Sequence, residues 1–286
     1  MKFPTLLFAA VCALWPAAAL AQTTTAPRPY VVVVVPGHGG DDPGAIYPPN
    51  SNQPSIEEKN LTLPIALKLR DRLQAEDVQV VMTRTGDTST TGEQRAQIAE
   101  QAHADVFVAV HVNSYFPDQT VRGAEAQYFS DPALAGDVAD GLAASLRELG
   151  QTVRTTKDRE QDNILSMPGA IVEAGYLSNA ADRQMLQTAA YQDAIADGVY
   201  HGLLKYAPQI EELKPRIDAY KLAQQAKTAP QRAVQQMATA AHRGGLPGWL
   251  KPAGIGAGLA FAWLVLRSRG RRRARRQPGY GVVRYR

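Results

Sequence analysis

At 286 residues the chain is long enough for one sizeable domain with appendages, or for two small ones. Its single cysteine, Cys12, lies in the N-terminal apolar run, so the remainder has no disulfide, no cysteine nucleophile and no thiolate metal ligand. The net charge of +4 does not mark a basic fold. Of the 31 basic residues, nine are arginines from Arg267 onward, leaving 22 bases against 27 acids, a net of −5, over residues 1–266. That excludes a nucleic-acid-binding surface on the body of the protein and assigns the basicity to a tail.

Lys2, an apolar run from Leu6 to Leu14, and Ala19-Leu20-Ala21 before Gln22 read as a cleaved export signal over residues 1–21. Five successive β-branched residues, Val31 to Val35, favour extended backbone and leave no polar face, which predicts a buried central strand. Pro36 and Gly37 stop it, and His38 opens a glycine-rich loop just past its carboxyl end. Leu61, Ile65, Leu69 and Leu73 recur on one face of a helix predicted over 58–74. A strand over 79–83, a helix over 93–103 and a strand over 106–110 ending at His111 follow. Next come a half-solvated strand over 122–129, a helix over 132–149, a short strand over 170–172 ending at Glu173, and helices over 180–187 and 191–206. The interval 154–168 reads as short and polar. This alternation predicts an α/β domain over 29–207, a mixed, mostly parallel sheet with helices on both faces.

Beyond Pro208 the composition turns to Gln, Ala, Lys and Arg, with too little apolar surface for a second core, so 208–245 reads as a polar linker or helical stalk. Residues 246–266 are apolar apart from Lys251, and the arginine-rich tail 267–286 follows at once. This predicts a single membrane span, with Trp249 at the interface and the arginines on the cytoplasmic side. That orientation agrees with an exported domain.

Four side chains stand where strands end or the next helix begins: His38, Glu58, His111 and Glu173. In a doubly wound sheet the carboxyl ends of parallel strands share one rim, so these side chains are expected to converge. Two imidazoles and a carboxylate make a three-ligand zinc set with one position open, and a second carboxylate supplies a base. From the residues alone a ligand role for Glu58, with Glu57 adjacent, stands level with a helix-dipole role, because acids are favoured in any first helical turn. His103 at a helix end, His201 in a late amphipathic helix and His242 in the linker are assigned no role in the site.

Taken together, Pro36-Gly-His38-Gly-Gly-x-Asp42-Pro-Gly-Ala45, Glu58-Lys-Asn60, Thr83-Arg84, Ala104-Asp105-x-Phe-x-Ala-x-His111-x-Asn113 and Val172-Glu173-Ala-Gly175-Tyr-Leu-Ser-Asn179 form a specific pattern. Over about residues 29–206 it resembles the zinc-dependent N-acetylmuramoyl-L-alanine amidases. The resemblance implies Zn2+ held by His38, Glu58 and His111, which decides for Glu58 over Glu57, and Glu173 as the catalytic residue. It implies peptidoglycan as substrate, cut between N-acetylmuramic acid and L-alanine. Tyr176 replaces the family's usual phenylalanine, an exchange expected to be harmless. Family members switched on by a partner carry an inserted helix over the metal in the region of 154–168; that interval is too short here, so this form of autoinhibition is expected to be missing. The sequence names no regulatory partner. The competing readings are another extracytoplasmic zinc peptidase or deacylase, and a non-catalytic, membrane-held wall-binding module.

Overall fold

The computed structural model describes residues 25–129, 131–157 and 165–242. The predicted export signal, the apolar segment 246–266 and the arginine-rich tail lie outside the described residues. Among those described, no helix is long and apolar enough to cross a membrane. Residue contacts divide the chain into two units, Met1–Ala223 and Gln224–Arg286.

The valines form β1 (Val31–Pro36), buried along its whole length. A strand without a polar face needs cover on both sides and partners on both edges. β1 has parallel partners on each edge, β4 (Gln79–Met82) and β5 (Val106–Asn113). β8 (Gly169–Tyr176) lies parallel beside β5, then β6 (Ala124–Tyr128) runs antiparallel to β8, and β7 (Val153–Lys157) runs parallel to β6. The six-stranded order is β4-β1-β5-β8-β6-β7, a mixed and mostly parallel sheet as expected.

Alternation along the strands feeds two cores. Val32, Val34, Val108, Val110 and Val172 face the larger one, closed by α1 (Glu58–Ala75), α3 (Pro132–Leu146) and α5 (Ala189–Tyr206). Val33, Val35, Phe107, Ala109 and Ile171 face the smaller one, which takes Ala99 from α2 (Gly92–Gln101). Thr91 caps α2 with a reciprocal capping box to Gln94. Helices therefore cover both faces, unequally.

Several boundaries differ from expectation. α2 stops at Gln101, because His103 turns into the left-handed region at φ 49°. α3 gives way at Arg147 to a 3-10 turn that ends on Gly150. The stretch 153–157, part of which reads as a polar interval, is strand β7; Val, Thr and Thr tolerate extended backbone, and lateral pairing to β6 supplies what the local pattern does not. A two-residue pair, β2 (Ile46–Tyr47) with β3 (Ile56–Glu57), was not expected at all and leads directly into α1. α4 (Ala180–Leu186) is capped by Asn179. The polar stalk begins as α6 (Gln209–His242), whose Ile210 and Ala223 are buried in the first unit.

Candidate metal centre

Gly37 donates its N–H to Val110 O at 2.8 Å, so the chain leaves β1 still bound to the end of β5. His38 then adopts φ 59°, a left-handed conformation costing a non-glycine residue about 1–3 kcal/mol, and such strain collects at functional sites. Its Nδ1 lies 2.8 Å from Asp42 Oδ2, four residues along the loop. Asp42 thereby fixes the ring so that Nε2 faces Glu58 Oε2 at 3.1 Å.

Glu58 is the first residue of α1, yet it is turned inward and only 3% exposed. Its Oε2 accepts from Ala45 N–H and its Oε1 from Val112 N–H, each at 2.8 Å, while Oε1 lies 3.0 Å from His111 Nδ1. Burial works to raise its pKa, but the hydrogen bonds to His111 and His38 prevail and hold the carboxyl at about 2. Burial works to lower that of His38, and Glu58 and Asp42 together raise it above the ordinary imidazole value. Donor atoms of His38, Glu58 and His111 all lie within 4.8 Å of one another, and the two rings meet edge-on with centroids 4.9 Å apart. Two imidazoles and an ionised carboxylate at this spacing fit a small divalent cation with a coordination position to spare.

Glu173 stands in register with His111 on the adjacent strand β8, one strand spacing away, and is half-buried. Glu57, by contrast, is half-buried at the end of β3, where it accepts from Asn60 Nδ2 and pairs with Lys59 Nζ at 3.6 Å. His103 and His201 take no part in the His38, Glu58, His111 cluster.

The loop that carries His38 is held from behind by Arg84, a residue quoted above within a motif but given no task. Its guanidinium, 4% exposed, donates to the carbonyls of Pro36, Gly37, Lys59 and Gly86 at 2.9–3.1 Å and to Thr62 Oγ1 at 3.0 Å. Lys59 Nζ adds a bond to Gly40 O at 2.7 Å. Gly37 is required for a different reason: a Cβ there would stand 2.5 Å from His111 Cε1. The hydroxyl of Tyr176 is also engaged, accepting from Arg154 Nη2 at 2.8 Å.

The family model for N-acetylmuramoyl-L-alanine amidase matches residues 32–205. The chain belongs to that family. Among curated relatives, the germination-specific N-acetylmuramoyl-L-alanine amidase of Bacillus subtilis is 31% identical over 194 residues, covering 62% of this chain and 79% of the relative. Among solved structures, the amidase AmiC2 of Nostoc punctiforme superposes with a TM-score of 0.58 at 33% identity, over 63% of this chain and 97% of that one. The CwlD amidase of Clostridioides difficile, solved in complex with the GerS lipoprotein, gives 0.54 at 26% identity, over 63% and 99%. The amidase match therefore lies on the first unit and takes in all four residues singled out from the sequence.

Proposed function

We propose that this amidase uses zinc at His38, Glu58 and His111 to hydrolyse the amide between N-acetylmuramic acid and L-alanine in peptidoglycan, with Glu173 as catalytic base. The observation that carries the reading is the donor set, in which two imidazoles and a carboxylate lie within 4.8 Å. When bound, zinc supplies a Lewis acid for the amide carbonyl and acidifies water toward a pKa of about 7. The protein's own residues do the rest. Asp42 orients the His38 ring, and the Ala45 and Val112 N–H groups fix the Glu58 carboxylate. Glu173, beside His111, takes the proton from the attacking water and passes it to the nitrogen of L-alanine, so that the amine leaves neutral.

Glu173→Gln is expected to bind zinc stoichiometrically and to lose turnover by at least about a hundredfold, whereas His38→Ala and His111→Ala lose both. Metal analysis and mass spectrometry of products released from purified peptidoglycan, with and without a chelator, check this. Intact stem peptides ending in free L-alanine support the amidase reading; internal peptide fragments overturn it in favour of a peptidase.

The charge pattern supports an exported enzyme held by residues 246–266, with the arginine tail inside. Alkaline extraction is expected to leave the full chain in the membrane and to release a chain ending at His242. The interval 154–168 of the sequence is short, and its residues 158–164 lie outside the described residues. We read the interval as too short for the inhibitory helix of partner-activated relatives, so the full chain is expected to digest isolated cell wall without a partner.

A further inference from the structure

The row that holds the metal centre continues across the sheet. His111 pairs with Glu173, Glu173 with Glu125, and Glu125 with Arg154, so β5, β8, β6 and β7 each place one ionisable side chain on the same transverse line. Residues paired in register present their side chains on one face. The proposed chemistry uses the first two of the four and leaves Glu125 and Arg154 unexplained.

Glu125 is buried, and a buried carboxylate is costly unless it is held. It accepts from Thr156 Oγ1, from Gln127 Nε2 at 3.3 Å and from Arg154 Nη2 at 3.3 Å. The same Nη2 donates to Tyr176 OH at 2.8 Å, and the guanidinium carbon lies 5.6 Å from the Tyr176 ring centroid. Nη1 donates to Arg122 O at 3.3 Å, so the guanidinium is fixed by a carboxylate, a hydroxyl, a carbonyl and an aromatic ring, while the side chain remains 41% exposed. A planar cation with its orientation set in advance and part of its surface open is a receptor for a carboxylate. The hydroxyl that fixes it belongs to Tyr176, the position where this chain departs from the family's usual phenylalanine.

We propose that Arg154, held by Glu125 and Tyr176, is a specificity-determining residue that receives a carboxylate of the stem peptide on the leaving side of the scissile amide. This rests on the amidase reading above. Three strand spacings separate β5 from β7, about 14 Å, and an extended peptide covers that distance in about four residues. Arg154 side-chain reach shortens the count, so the acid recognised lies within the first few residues after the cut. Peptide running from the metal centre toward the β7 edge would meet Arg154, and an amidated or reduced group there would forgo a charge-assisted bond.

The test uses full-length protein and matched muramoyl peptides that differ only in having that carboxylate free or amidated. The native chain is expected to favour the free acid by about tenfold in kcat/KM, chiefly through KM. Arg154→Met brings the acid-to-amide ratio near one, Arg154→Lys restores part of it, and Tyr176→Phe gives an intermediate ratio. A merely structural role would lower both substrates together and keep the ratio. An unchanged ratio in Arg154→Met, or no preference in the native chain, overturns the proposal. Calorimetric binding of the free peptides, acid against amide, gives the same ratio without turnover. Retained selectivity in binding with no hydrolysis would sink the amidase reading and leave the assignment of Arg154 standing.

Discussion

An acid in the first turn of a helix gains from the dipole wherever it points, so residue type does not separate Glu57 from Glu58. The change of backbone between them does. Glu57 ends β3 with extended φ and ψ of −123° and 136°, and Glu58, the first helical residue, swings between the two imidazoles. The glycines around them are part of the site. A Cβ on Gly44, whose φ is +67°, would stand 2.5 Å from His38 Cδ2 and 2.6 Å from Glu58 Oε2. Gly44→Ala is therefore expected to weaken zinc by about tenfold or more, read by competition with a chelator. Arg84 acts on the same loop by another route, since losing it removes five charge-assisted hydrogen bonds that tie Pro36, Gly37, Lys59, Thr62 and Gly86 together. Arg84→Met is expected to cost about 3 kcal/mol in urea unfolding. The three proposed donors, His38, Glu58 and His111, could be picked out because each follows a strand or opens a helix, and the structure brings their donor atoms together. Asp42 and Arg84 were visible only as letters in motifs, since their tasks arise from contacts that spacing does not encode.

At the scale of elements, α3 and α5 approach so closely that glycines are obligatory between them. A Cβ on Gly141 would fall 2.1 Å from Gly198 O, and one on Gly202 would fall 2.5 Å from Val138 Cα. Neither obstacle is a flexible side-chain tip. Gly141→Ala must push the helices apart along an interface that includes Leu142, Val138 and Val199, at a cost of about 2–3 kcal/mol in urea unfolding. Metal affinity should be nearly unaffected, because the pair lies on the larger core while His111 shares its face with Phe107 and Ala109. β1 and the stretch Val106–Val110 of β5 announce themselves because a fully buried strand segment must be apolar throughout. β7 does not: it is an edge strand of Val153, Arg154, Thr155, Thr156 and Lys157, and charged edges are how sheets avoid pairing with strangers. The residues that hide β7 from a hydrophobicity reading thus include the arginine that gives it a task.

Across the molecule, composition changes at Pro208, whereas the packing of the first unit runs on to Ala223. Composition registers average polarity, and the first two turns of α6 are polar on average. What it does not register is that single apolar side chains in that stretch are spent on the body of the protein: Ile210 is 1% exposed and packs in the larger core. Lys214 reaches Ala75 O and Glu76 Oε2 at 2.8 Å each, and Lys221 pairs with Asp77, so the start of α6 is fastened to the end of α1. Surface ion pairs of this kind contribute little; full burial of one isoleucine contributes about 1.5–3 kcal/mol. None of these residues touches the proposed metal donors, whose positions depend on β1, the His38 loop, the opening of α1 and β5. A chain ending at Ala207 is therefore expected to retain zinc and turnover per folded molecule, but to unfold about 2–3 kcal/mol more easily than one ending at Ala223. Urea unfolding beside single-turnover hydrolysis separates the two quantities. Equal stability of the truncations would mean that α6 only rests on the domain, and loss of zinc in the shorter one would mean that it reaches the site.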